Sequence, residues 1–273
     1  MRFEPAWMAL PLAFAMTLAH ADSGLARLSE VGIVVTDLDP NDGYVPPPLT
    51  GANYAAWEPG ILKPGGINNE PGWYADRAPG TSAPPIEGAH EITDGATFAR
   101  MSLVAPSAAQ HTLESAAGST EPGWTVYAGV RLGNTGQSSE PAWLVALAPN
   151  TSVTLSGEAL VRGEVTSYYT GTEFLGVASS LAIQVYDADH GYLSSHGDEL
   201  SLMIEDRSFE EQSGHVSVTY ANTSSEWQYA SLQAGAALFM TVGAVPEPHG
   251  LALMLVGVGA LALRFARARA TRA

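Results

Sequence analysis

Between Asp22 and Ala244 the spacing of a helix face is hard to find, and apolar residues instead alternate with polar or small ones. Val153, Leu155, Ala159 and Val161 fall on one side of an extended segment, with Thr154, Ser156, Glu158 and Arg162 on the other. The same two-residue period recurs at Trp124-Val126-Ala128-Val130, Leu181-Ile183-Val185, Leu200-Leu202-Ile204 and Val216-Val218-Tyr220. Further strands are expected at Val31–Leu38, near Thr97–Val104, and at Ala230–Val242. Asn-Thr-Gly, Ser-Gly and Asp-His-Gly separate the runs, and these are residues that accept turn geometry. One-sided alternation means sheets with one dry face. The prediction is an all-β, antiparallel β-sandwich, jelly-roll-like, of about eight to twelve strands.

One stretch interrupts the alternation. Residues 39–91 hold Pro46-Pro47-Pro48, Pro64-Gly65-Gly66 and Pro84-Pro85, and read as a long, loop-like insertion. Its aromatics (Tyr44, Tyr54, Trp57, Trp73 and Tyr74) argue that it lies against the sandwich. No sharp boundary divides residues 22–243, which read as a single domain.

Charge and cysteine content narrow the function. Across 273 residues, 28 acidic side chains face 12 Lys and Arg, for a net charge of −16. Such a surface repels phosphate backbones and excludes a nucleic-acid partner, while tolerating divalent cations. The chain has no cysteine. That removes disulfides, thiol catalysis and thiolate metal sites, and leaves stability to packing.

Candidate chemistry is sparse. Asp37, Asp39 and Asn41 put side-chain oxygens at alternate positions, as calcium loops do, and Asp187 and Asp189 echo them. The same residues are typical of hairpin turns, which is the first reading of both segments. The tetrapeptides Glu70-Pro71-Gly72-Trp73, Glu121-Pro122-Gly123-Trp124 and Glu140-Pro141-Ala142-Trp143 place an indole beside a carboxylate. Indole faces stack on sugar rings. Trp124 and Trp143 open apolar runs and are expected to cap the core, leaving Trp57 and Trp73 as candidate glycan platforms. His190 and His196 with Asp187, Asp189 and Asp198 form the densest titratable cluster, which a polar hairpin also produces. No HExxH, GxSxG or serine–lysine pattern is present, so no catalytic residue is assigned and the chain reads as a non-enzyme.

Both ends read as addresses. Residues 1–21 combine Arg2, an apolar run from Trp7 to Leu18, and Ala19-His20-Ala21, the small-x-small pattern a signal peptidase cuts after. At the other end, residues 244–273 join Val245-Pro246-Glu247-Pro248 to an apolar helix over 249–263 and a basic end over 264–273, with Arg264, Arg267, Arg269 and Arg272. Its uncharged run, Gly250 to Leu263, would span about 21 Å as a helix, short of the ~30 Å hydrocarbon layer.

This tail resembles the PEP-CTERM sorting tail of Gram-negative bacteria. The resemblance implies an exosortase partner that cuts near Pro-Glu-Pro, transient insertion in the inner membrane, and delivery to the cell exterior. It covers about a tenth of the chain and says nothing of the body. The expected function is a structural or adhesive protein of the cell surface or exopolysaccharide matrix, with exopolysaccharide as partner. No cofactor is assigned beyond possible Ca2+ binding. The alternatives are a secreted polysaccharide-active enzyme or carbohydrate-binding module, and a permanently anchored periplasmic protein.

Overall fold

The computed structural model describes residues 21–43, 55–62, 88–107, 110–121, 123–133, 144–166 and 174–242. Residues 1–20 of the expected signal segment 1–21, Trp73 and the whole PEP-CTERM-like tail from residue 244, including Val245–Pro248 and the four arginines, lie outside them. Among the described residues every regular element is a strand. In chain order these are β1 (Asp22–Asp37), β2 (Ala55–Leu62), β3 (Gly88–Asp94), β4 (Thr97–Ser107), β5 (Gln110–Ser119) and β6 (Thr125–Gly133). Then follow β7 (Leu144–Leu147), β8 (Thr151–Val165), β9 (Phe174–Tyr186), β10 (Tyr192–Ile204), β11 (Ser208–Asn222) and β12 (Gln228–Thr241).

They form two antiparallel sheets. The first runs β11-β8-β1-β5-β4-β3, and the second β10-β9-β12-β6-β2, with β7 also paired to β12. The inner positions of both supply one continuous core, in which Leu28, Leu113, Val153, Leu155, Ile183 and Leu232 are fully buried. The alternation anticipated for residues 153–161 and 181–185 is the one observed.

At two places the sheets approach closely enough for a serine to reach across. Ser115 Oγ on β5 donates to the Ala236 carbonyl on β12 at 2.8 Å, and Ser179 Oγ on β9 donates to the Arg27 carbonyl on β1 at 3.0 Å. Small residues make room for neighbours elsewhere. Gly24 and Gly163 face each other on β1 and β8, and Leu175 fills the hollow they leave. A Cβ on Gly163 would lie 2.6 Å from Leu175 Cδ2.

The early strand starts earlier than its apolar run suggests, at Asp22 rather than Val31. Its first half alternates in even register (Gly24, Ala26, Leu28), and the first two of these are too small to register as a hydrophobic run. A bulge at Ser29-Glu30, with Glu30 at φ 54°, then moves the inward set to odd positions, Val31, Ile33 and Val35. Asp22 is buried, and its carboxylate accepts from the Thr166 amide at 2.7 Å and the Thr166 hydroxyl at 3.0 Å.

The Pro/Gly-rich stretch is not all loop. It contains β2, and β3 begins at its far end. Pro59 is compatible with β2 because, among the described residues, that strand is the edge of its sheet and pairs with β6 alone, so one side needs no donor.

The outer face of the first sheet is a charged ladder. Arg27 pairs with Glu114, His215 Nδ1 lies 3.0 Å from Glu158 Oε1, Thr154 and Thr219 share a hydrogen bond at 2.9 Å, and Arg162 lies over the Phe209 ring. Such exposed pairs contribute solubility more than stability.

His111 on β5 is buried opposite Val31. Burial holds its imidazole below the ordinary value of 6.5, because the charged form loses its hydration. Above 6.5 the imidazole is neutral whether the chain is folded or not. As pH falls through 6.5 the unfolded chain takes up a proton that the folded chain resists, so this stability is lost on the acid side. Melting temperature therefore falls between about pH 8 and about pH 5. The expected signature is a smaller fall in His111→Leu, read by circular dichroism; an identical pH profile in the variant would remove His111 as the cause.

Candidate functional site

Buried odd positions on β9 leave its even positions on the outer face, and register extends that face over β10, β12 and β6. The rows across the strands can be followed from one end. Met203, Gly176, Phe239 and Tyr127 stand side by side; Ser201, Ala178, Ala237 and Gly129 come next. The third row is Glu199, Ser180, Gly235 and Arg131, and the fourth is Gly197, Ala182, Gln233 and Gly133. Small side chains thus floor the centre, and aromatic rings stand at one end.

That end is an aromatic wall. Phe174 and Phe239 stack with centroids 5.2 Å apart, and Tyr127 tilts against Phe239 at 6.5 Å. Between the wall and Met203, which is 64% exposed, lies a cavity of about 730 Å³. A second hollow of about 340 Å³ adjoins it, sharing Ala178, Glu199 and Ala237 and reaching Ala182 and Gln233. The first volume is ordinary for a small-molecule site.

Two of the floor glycines have no architectural reason to be glycine. A Cβ on Gly235 would meet nothing nearer than Ser180 Oγ at 3.5 Å, and one on Gly176 only the Phe239 carbonyl at 3.9 Å. Neither has a positive φ. Gly133 differs, since it has φ 95° and a Cβ there would fall 2.0 Å from the Leu232 carbonyl. Glycine within a strand weakens it. At positions 176 and 235 its effect is an open trough.

The sites expected from sequence fall elsewhere. Asp37 Oδ1 accepts from the Asp39 amide at 2.9 Å, and Asp39 Oδ1 from the Asn41 amide at 3.2 Å. Asp187 Oδ1 accepts from the amides of Asp189 at 2.9 Å and Gly191 at 2.7 Å. These carboxylates brace their own turns, and among the described residues no three His, Asp or Glu side chains gather as metal ligands. The histidine cluster is dispersed: His190 packs on Tyr229, His196 packs on Tyr220, and Asp198 Oδ2 accepts from the Ser217 amide at 2.7 Å.

Of the two candidate platforms, Trp57 lies on β2 opposite Val130, not in a loop. Trp73 is outside the described residues. Trp124 is half-buried in the turn before β6, where its carbonyl accepts from the Val242 amide at 2.8 Å. Asn222, part of an Asn-Thr-Ser triplet, is fully buried, and its Nδ2 donates to the carbonyls of Leu147, Ala148 and Glu226.

The trough's own residues were absent from the sequence expectations. The signal lay in the polar half of the alternation: outer positions reading Phe-Gly-Ala-Ser-Ala along β9 and Gly-Ala-Phe along β12 are too small and too apolar for a wet face.

No protein-family model matches this chain, and no curated protein matches it. A solved structure, described as the structural basis for the promiscuous specificity of carbohydrate-binding modules from the β-sandwich superfamily, is similar at 9% identity. That match covers 78% of this chain and 96% of the other, with a TM-score of 0.10, too low to bear on fold or function. Among the described residues no helix is long and apolar enough to cross a membrane.

If the floor glycines serve the trough rather than the fold, Gly176→Ala and Gly235→Ala each leave the melting temperature unchanged or raise it, by up to about 1 kcal/mol of stability. Calorimetry showing a loss of more than about 1 kcal/mol in either variant would return these glycines to a structural role.

Proposed function

We propose that this chain is an exported, non-enzymatic protein of the cell surface or exopolysaccharide matrix, and that it holds polysaccharide in the trough of its second sheet. The observation that carries the binding half is the trough itself. Rings at Tyr127, Phe174 and Phe239 border a floor of Gly, Ala and Ser that lets a ligand approach the backbone. Aromatic faces give sugars an apolar surface for their C–H edges, while hydroxyls at Ser180 and Ser201 and the ends of Glu199 and Arg131 offer hydrogen bonds. The ring-bordered, small-residue floor favours binding as the reading, with structural or adhesive consequence.

The export half rests on the two ends. The Ala19-His20-Ala21 pattern makes Asp22 the first residue after cleavage, and β1 starts at Asp22. At the other end, Val242 is still buried and is hydrogen-bonded to Trp124 and Gly123, and the PEP-CTERM-like segment begins two residues later. Both proposed cuts fall outside the strands, so processing leaves the sandwich whole.

Two measurements test the halves separately. On native protein, mass spectrometry is expected to find Asp22 at the N-terminus and an end near Pro246–Pro248; an intact Arg272 in the mature protein would reject exosortase processing. In affinity electrophoresis through polysaccharide gels, retardation is expected, and Phe239→Ala weakens it roughly tenfold, the equivalent of about 1.4 kcal/mol. Equal retardation of the variant would move binding away from the trough.

A further inference from the structure

The register that builds the trough continues beyond its cavities. Past the row of Gln233 comes Ser195, Gln184 and Ser231, and then a second aromatic row, Tyr192, Tyr186 and Tyr229. Tyr186 and Tyr192 meet edge to face at 6.0 Å, and His190 packs on Tyr229 at 5.1 Å. From Gly176 to Tyr186 is ten residues of β9, or about 33 Å, while the four strands place β10 and β6 about 14 Å apart. The face is thus long along the strands and narrow across them, with rings at both ends.

Its charge is as distinctive as its shape. The chain carries a net charge of −16, and the first sheet's outer face is laced with ion pairs. On the outer face of β10, β9, β12 and β6 the described rows between Gly176 and Tyr186 hold Glu199 and Arg131 as their charged side chains. These are of opposite sign and share one row, so the described charges on these four strands sum to zero.

We infer that the ligand of this face is an uncharged, extended polysaccharide lying along the strands, its interior sugars over the Gly/Ala/Ser floor and its ring faces on the two aromatic rows. This rests on the glycan reading above and narrows it. An anionic chain of uronates or sulfated sugars would bring repeated negative charge to an acidic molecule whose trough offers one arginine among its described residues. A chain end or a disaccharide would leave one aromatic row unused.

The test uses the full-length protein in native gels containing mixed-linkage β-glucan or galactomannan as neutral polymers, and alginate or polygalacturonate as anionic ones, each with and without calcium. Retardation is expected in at least one neutral polymer, insensitive to calcium and to added salt. Tyr229→Ala at one row and Phe239→Ala at the other should each weaken it about tenfold. Competing oligosaccharides from the retarding polymer should inhibit better as they lengthen. Retardation confined to the anionic polymers overturns this inference while leaving polysaccharide binding in place. So does a disaccharide that competes as well as a long oligomer. Retardation in none of the four polymers overturns the polysaccharide reading and this inference with it. Concentration-dependent dimerisation abolished by Phe239→Ala would do the same, by giving the face to a second copy of the chain.

Discussion

The whole molecule rests on the packing of two inner sheet faces against each other. With no cysteine to staple it, the fold depends on every strand delivering its apolar set to the same interlayer. β1 shows how strict that requirement is. Its inward residues change from even to odd at Ser29-Glu30, and the bulge there keeps Leu28 and Val31 both in the core. Two serine hydrogen bonds cross between the layers. Each gives a buried hydroxyl its partner while tying one sheet to the other's backbone.

Once the inner faces are fixed, the outer faces are free to differ, and they do. The first sheet uses its outer positions for charge: Arg27 beside Glu114, Glu158 beside His215, Arg162 beside Glu211. That face is hydrated and soluble. The second sheet puts glycine, alanine and serine at corresponding positions and rings at the two ends. A wet face has no need for so many small apolar residues, and strands are weakened by glycine. One scaffold thus carries two unlike surfaces, one charged and one floored by small residues between aromatic rows.

The sandwich was legible in the sequence because burial on one side of a sheet leaves a two-residue signature. Val153 to Val161 and Leu181 to Val185 show it plainly, and so did the strands containing them. Strands built from small residues were not legible. Gly24 and Ala26 carry little hydrophobic signal, yet both are buried, and at Gly24 Leu175 fills the space the missing side chain leaves. β2 was hidden by Pro59 and its glycine-rich surroundings, which an edge strand tolerates. The trough was missed for a related reason. Attention to conspicuous residues, indoles and acidic turns, led to Trp57, Asp37 and Asp187, whereas the trough is made of alanines and glycines that become a surface only when four strands align.

The central claim is that the second sheet's outer face, and no other surface, takes an uncharged polysaccharide. The most direct measurement is an NMR titration of the full chain with a neutral oligosaccharide, following side-chain signals on both faces. The account predicts shifts confined to the second sheet's outer face, at Tyr127, Phe174, Phe239, Ala178 and Ala237 and at the second row of Tyr186, Tyr192 and Tyr229, with Arg27, Arg162 and Phe209 on the opposite face unmoved. Shifts centred on the charged ladder of the first sheet would contradict it.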